Sequence, residues 1–264
     1  MTTPRAAAVT TIVLRVGVVG GIQLDVPGVA ARRGRLADVA TSPLVLVDAR
    51  SSSPAAVAAA ARAHPLGHFV IVGASARAAH VPNFAGIVLE QEGAAYLAGV
   101  AAGLAADGAG GGGARVAWIG PEERPLAAAY GRGVHAVAPR LAVLHEWSRS
   151  VPARCKEAAL TALSRDALVV TAHGGLCADA AATAAHERNV PALRLADFLL
   201  PDVAAALVAR DAARGVFHGG EDVVFGPETG AVGVRRLDPR IPVDVTARVR
   251  AVAQELASPA GAGG

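Results

Sequence analysis

The feature that most constrains this chain is an alternation. Short runs of aliphatic and β-branched residues, most of them ended by glycine or aspartate, are separated by alanine-rich stretches of helical length. Residues 86–133 show it best: GIVLEQEGAAYLAGVAAGLAADGAGGGGARVAWIGPEERPLAAAYGRG. An apolar strand leads there into a small-residue helix over 92–106, where Leu97, Val100, Ala101 and Leu104 recur at i, i+3, i+4 and i+7 and form one apolar face. The glycine-rich run 108–113 ends that helix, and 115–120 reads as a buried strand. Pro125 opens a second helix at the position where a missing N–H costs least. The same reading places further strands at 11–19, 44–47, 68–72, 84–89, 141–147, 167–172, 192–195, 223–225 and 231–234. Helices are expected at 27–40, 54–64, 153–165, 176–188, 200–214 and 244–257. Strands alternating with helices imply parallel sheets covered on both faces.

Composition narrows the function classes. With 264 residues the chain can bury one large core or two smaller ones, and alanine supplies much of the filling. The net charge is +3 and the cations are almost all arginine, Lys156 being the one lysine. Arg32, Arg33 and Arg35 form the densest cluster and Arg235 with Arg236 a second; no aromatic residues interleave with them, so a solvated face is expected and nucleic acid is not a partner. Cys155 and Cys177 form neither a CxxC pair nor a framework, and two reduced, partly buried thiols are the expectation. The eight histidines are scattered, and neither a metal nor a cofactor is expected. The longest uncharged helical run, 93–106, is too short to span a bilayer. Residues 6–14 are apolar, but Arg15 ends the run and no small-residue cleavage site follows. The sequence as written therefore reads as cytoplasmic, and as cell-surface associated if the true start lies upstream.

Two blocks carry a family resemblance. The first is Glu-Gly-Ala-Ala-Tyr-Leu-Ala-Gly from Glu92 to Gly99, followed by Ile119, Gly120, Pro125, Tyr130, Gly131 and Gly133. The second is GVFHGGEDVVFGPETGAVGVRRLDPRIPVDV, residues 215–245. Together they resemble the "basic membrane protein" (BMP) family, the purine-nucleoside-receptor type of substrate-binding protein of ABC transporters, over roughly residues 44–256. The resemblance implies an α/β, type I periplasmic-binding-protein-like fold: two doubly wound parallel-sheet lobes with a ligand cleft between them. It implies a first lobe over 10–89, short by one βα unit, and a second over 90–199. Residues 200–258 would be a crossover and C-terminal segment returning to the first lobe, and 259–264 a disordered tail.

The ends of the strands are where such a fold holds its ligand. A nucleoside needs an aromatic face for the base and acceptors for the ribose hydroxyls. Trp147 matches the family's aromatic residue after a strand, with a partly buried core aromatic as the other reading. Asp197 matches its sugar-hydroxyl acceptor, with a helix N-cap as the other reading. His173, Gly174 and Gly175 match its glycine turn, and Asp25 is the one acid in the segment after the first strand. The departures are an Asp-Lys-Ser-Phe-Asn-like segment replaced by GGIQLDVPGVA, and Gly73 where the family often has aspartate.

The expected function is a binding protein and not an enzyme: a receptor for a small polar, nucleoside-like ligand, partnered with an ABC permease if exported. The alternative is a cytoplasmic sensor or regulator on the same fold. A catalytic reading would place a nucleophile at Cys177, at the start of a helix where the dipole lowers a thiol pKa. Asp179 stands where a nucleophile elbow needs a small residue. VGVVGGI over 16–22 lacks the G-x-G-x-x-G spacing of a dinucleotide site.

Overall fold

The computed structural model describes residues 13–107, 114–149 and 151–258. The expected apolar segment 6–14 lies mostly outside these residues, as do the glycine run 108–113 and the tail 259–264. In chain order the first elements are β1 (Leu14–Val19), β2 (Val29–Arg33), α1 (Leu36–Val39), β3 (Leu44–Asp48), α2 (Pro54–Ala63), β4 (His68–Val72) and β5 (Phe84–Leu89). Next come α3 (Gln91–Asp107), β6 (Arg115–Gly120), α4 (Arg124–Val137), β7 (Ala142–Trp147), α5 (Pro152–Ser164), β8 (Ala167–Ala172), α6 (Leu176–Glu187) and β9 (Ala192–Arg194). The last are α7 (Pro201–Ala213), β10 (Asp222–Phe225) and α8 (Val243–Ala257). No helix among the described residues is long and apolar enough to cross a membrane.

The chain divides into two compact units. The first combines the residues up to Val88 with Pro201–Val224, and the second combines Leu89–Leu200 with the residues from Phe225 on. Of the 200–258 segment, α7 thus lies in the first unit and α8 in the second.

The first unit is built on a six-stranded sheet in the order β10-β5-β4-β3-β1-β2. The pairs β2-β1, β1-β3, β3-β4 and β4-β5 are parallel. β3 is buried at every residue, as a central strand covered on both faces must be. Ser53 caps α2, its hydroxyl accepting from the Ala56 N–H at 3.3 Å, and Pro54 occupies the first turn. The helix expected over 27–40 is instead the strand β2 and the single turn α1. β2 is an edge strand exposed over four of its five residues, so its arginines show a helix-like polarity without a buried face to betray a strand.

The second unit holds a four-stranded parallel sheet in the order β7-β6-β8-β9. α3 and α4 pack along each other through glycines, and a Cβ on Gly99 would collide with the Tyr130 carbonyl. A Cβ on Gly133 would collide in the same way with the Tyr96 carbonyl. That close approach is the physical content of the glycines in the first family-like block. Tyr130 of α4 and Trp118 of β6 are fully buried, their rings 5.0 Å apart. The strand expected over 231–234 does not form. Leu199 and Val232 make one isolated antiparallel bridge, and the Leu200 N–H donates to the Ala231 carbonyl at 2.8 Å. Gly230, at φ 74°, and Gly233 leave too short an apolar run for a ladder. The segment is anchored through Asp238, whose nearly inaccessible carboxylate accepts from the Ala192 N–H at 3.0 Å and the Arg240 N–H at 2.9 Å.

Candidate functional site

The two cysteines overturn the expectation of free thiols: Cys155 and Cys177 are joined in a disulfide, with Cα atoms 5.3 Å apart. Cys155 lies in the first turns of α5 and Cys177 at the start of α6. These helices follow β7 and β8 and pack together, which brings their N-terminal turns within bridging distance although the cysteines are 22 residues apart. No thiolate is left for a nucleophile elbow. The buried Ser148 hydroxyl lies 3.0 Å from Cys155 Sγ and 3.4 Å from Cys177 Sγ.

Above this bridge, the C-terminal ends of β7, β6 and β8 bring together four of the six residues singled out from sequence. Trp147 ends β7 opposite Gly120 of β6, and His173 follows β8 with its N–H on the Ile119 carbonyl at 3.1 Å. The His173 ring lies over Gly120, where a Cβ would collide with it, and stacks on Trp118 at 4.9 Å. Only glycine at position 120 leaves room for the imidazole. Gly174 and Gly175 then turn the chain with φ of 98° and 57°, a conformation that carries little strain only without a side chain. The turn delivers α6 with no side-chain cap at its N-terminus and with Leu176 72% exposed.

His173 is 5% exposed. Burial lowers its pKa, opposed by the charge of Glu123 and a hydrogen bond to the Pro121 backbone, so the ring is neutral at neutral pH. Among the described residues, the buried side-chain polar atoms without a hydrogen-bond partner are Trp118 Nε1 and His173 Nε2. Both belong to this stack. Beneath it the Thr171 hydroxyl donates to Tyr130 Oη at 3.1 Å.

The remaining two residues are carried by other elements. Asp197 sits in the 3-10 turn Leu195–Phe198 after β9, its carboxylate accepting from the Arg194 N–H at 3.0 Å and pairing with the Arg194 guanidinium at 3.1 Å. Asp25 is exposed in the connection from β1 to β2, within the first unit.

The strand ends of the first unit hold Asp48 and Ser75, both at strand ends read from the sequence, together with Asp222, which the sequence does not single out. Burial pushes the Asp48 carboxyl up, but the Arg50 guanidinium at 2.7 Å more than reverses this and holds it below the ordinary carboxylate value. Asp222 of β10 accepts from the Ser75 hydroxyl at 2.5 Å and the Ala76 N–H at 2.7 Å. Ser75 and Asp222 are 147 positions apart, so no local motif connects them.

No family model and no curated protein matches the sequence. Solved structures do match the fold. An ABC transporter solute-binding protein from Conexibacter woesei is similar at 17% identity and a TM-score of 0.63, over 92% of this chain and 96% of that one. One from Aeropyrum pernix is similar at 16% identity and a TM-score of 0.55, over 92% and 91%. A transcriptional activator of the comK gene from Bacillus halodurans is similar at 13% identity and a TM-score of 0.64, over 94% and 99%. At such identities the likeness speaks for the fold alone, and it establishes that this chain has the two-lobed α/β fold of the type I periplasmic binding proteins.

Proposed function

We propose that the chain is a BMP-like substrate-binding protein that holds a small hydroxyl-rich ligand of nucleoside type for an ABC permease. The observation that carries this reading is the unfinished hydrogen bonding at the strand ends of the second unit. The Trp118 indole offers an unused donor, and neutral His173 has an unused nitrogen. A hydroxyl both donates and accepts, and is the group suited to complete such a pair. Both atoms are buried, so this reading requires the strand-end region to open for the ligand. Trp147, 43% exposed at the same edge, supplies an aromatic face for a base. The solute-binding likeness supports the transport role. The disulfide supports an oxidising compartment, where such bonds persist.

The second reading, a sensor or regulator on the same fold, is favoured by the similarity to the comK activator. Alkylation of the protein in intact cells separates the two. A bridged Cys155–Cys177 pair accords with export, and two alkylated thiols favour the sensor. The ligand site itself is tested with His173→Phe. The variant keeps a ring over Gly120 and removes the unused nitrogen, so it should fold with unchanged stability and lose ligand-induced stabilisation. Full stabilisation by the same ligand in this variant would contradict the assignment.

A further inference from the structure

A groove of about 690 Å³ runs between α4 and β7, the edge strand of the second sheet. It lies beside the strand-end site and is lined by different residues apart from Trp147. α4 presents Arg124, Ala128 and Arg132 at four-residue steps, so the three share one helix face. Gly131 adds an open floor, since nothing lies within 4 Å of where its Cβ would stand. Across the groove β7 presents His145 and Trp147, alternate residues on one face of the strand. Their rings are 5.6 Å apart and 18° from parallel.

The charge in this groove has one sign. None of its lining residues is acidic. Arg124 is held by Glu122 through two N–H groups, at 3.0 and 2.7 Å. Arg132 is held far less: its acidic neighbour Glu92 is 4.0 Å away, and both side chains are more than half exposed. An exposed pair at that distance contributes little and leaves the guanidinium able to take another anion. Partial burial lowers the His145 pKa, so that ring is an uncharged stacking surface at neutral pH and the positive charge comes from the arginines.

We propose that this groove is a second binding site, for a planar aromatic molecule with one anionic group, the ring stacked on Trp147 and the anion paired with Arg132. The volume lies in the range of small-molecule sites. A stacked ring matches the exposed indole face. A carboxylate or similar group matches the planar fork of arginine. The site shares Trp147 with the nucleoside reading above but does not need His173, because the rest of its lining comes from α4 and β7.

Calorimetric titration of the full chain with 2-naphthoate, and with its uncharged analogue 2-naphthalenemethanol, tests the proposal. The naphthoate should bind one to one, and the alcohol about tenfold more weakly. Arg132→Gln should reduce naphthoate affinity to that of the alcohol. Gly131→Met points a side chain into open space, so it should abolish naphthoate binding while thermal melting shows the chain folded. His173→Phe should leave naphthoate binding unchanged, which separates this site from the strand-end site. Equal affinity for the two probes, undiminished binding in Gly131→Met, or no heat at millimolar naphthoate would overturn the proposal.

Discussion

Replacing Gly133 with alanine puts a methyl group between two helix backbones. In the folded chain the new Cβ would overlap the Tyr96 carbonyl oxygen and stand 2.9 Å from the Tyr96 carbonyl carbon and the Val100 nitrogen. These are backbone atoms of α3, so no rotamer change relieves the clash and the two helices must separate. Overpacking of this kind costs about 1–3 kcal/mol, and contact with backbone puts it near 3. Alanine in a helix interior returns about 1 kcal/mol over glycine, leaving a net loss of about 2 kcal/mol. Gly131, two positions earlier in the same helix, has open space around its Cβ direction, so Gly131→Ala should gain about 1 kcal/mol. Both tryptophans lie in the second unit, which makes their fluorescence in a urea titration a report on that unit alone. With a urea dependence of about 2 kcal/mol per M, the midpoints of the two variants should differ by about 1.5 M, on opposite sides of the unaltered chain. Midpoints that shift together, or a Gly133→Ala variant as stable as the parent, would refute the helix-contact argument.

Two further outcomes follow from the second unit. The denatured chain should show no free thiol until it is reduced, and Cys155→Ser/Cys177→Ser should lose about 3 kcal/mol in urea melts, the chain-entropy value for a 22-residue loop. Detection of two thiols without reductant would contradict the bridge. Burial holds the His173 pKa below its unfolded value, so the unfolded chain binds more protons once the pH drops below about 6.5. The stability from the neutral ring is therefore complete above pH 6.5 and lost as the pH falls towards the lowered folded value. Urea midpoints measured from pH 7.5 to 5 should fall less steeply in His173→Phe than in the parent, and parallel curves would refute the assignment.

Most of the strand framework was legible in the residues. β4, β5, β6 and β8 occupy 68–72, 84–89, 115–120 and 167–172, the bounds expected from β-branched runs closed by glycine, aspartate or a helix start. β2 was not legible because an exposed edge strand needs no apolar residues and so shows no period of two. The 231–234 run misled because apolar character marks burial, and here it marks one bridge to Leu199. Positions at strand ends were readable, since the residue after a buried run is placed by that run. Trp147, His173, Gly174 and Gly175 share an edge for that reason. Pairings that depend on how helices settle on a sheet were not readable. The disulfide needs α5 beside α6, and the groove needs α4 beside the edge strand β7.

The central claim is that the strand-end site takes a hydroxyl-rich, nucleoside-type ligand, and ligand-dependent melting of the full chain tests it most directly. At a purine nucleoside concentration of about 100 times Kd, mass action stabilises the folded state by about 2.7 kcal/mol. For a chain of this size that is a rise in Tm of about 5–10 °C. Adenosine, inosine and guanosine should be run at millimolar concentration on the parent chain and on His173→Phe. The account predicts a rise of this size for at least one nucleoside in the parent and none in the variant. A flat melting temperature across all three nucleosides in the parent would contradict it.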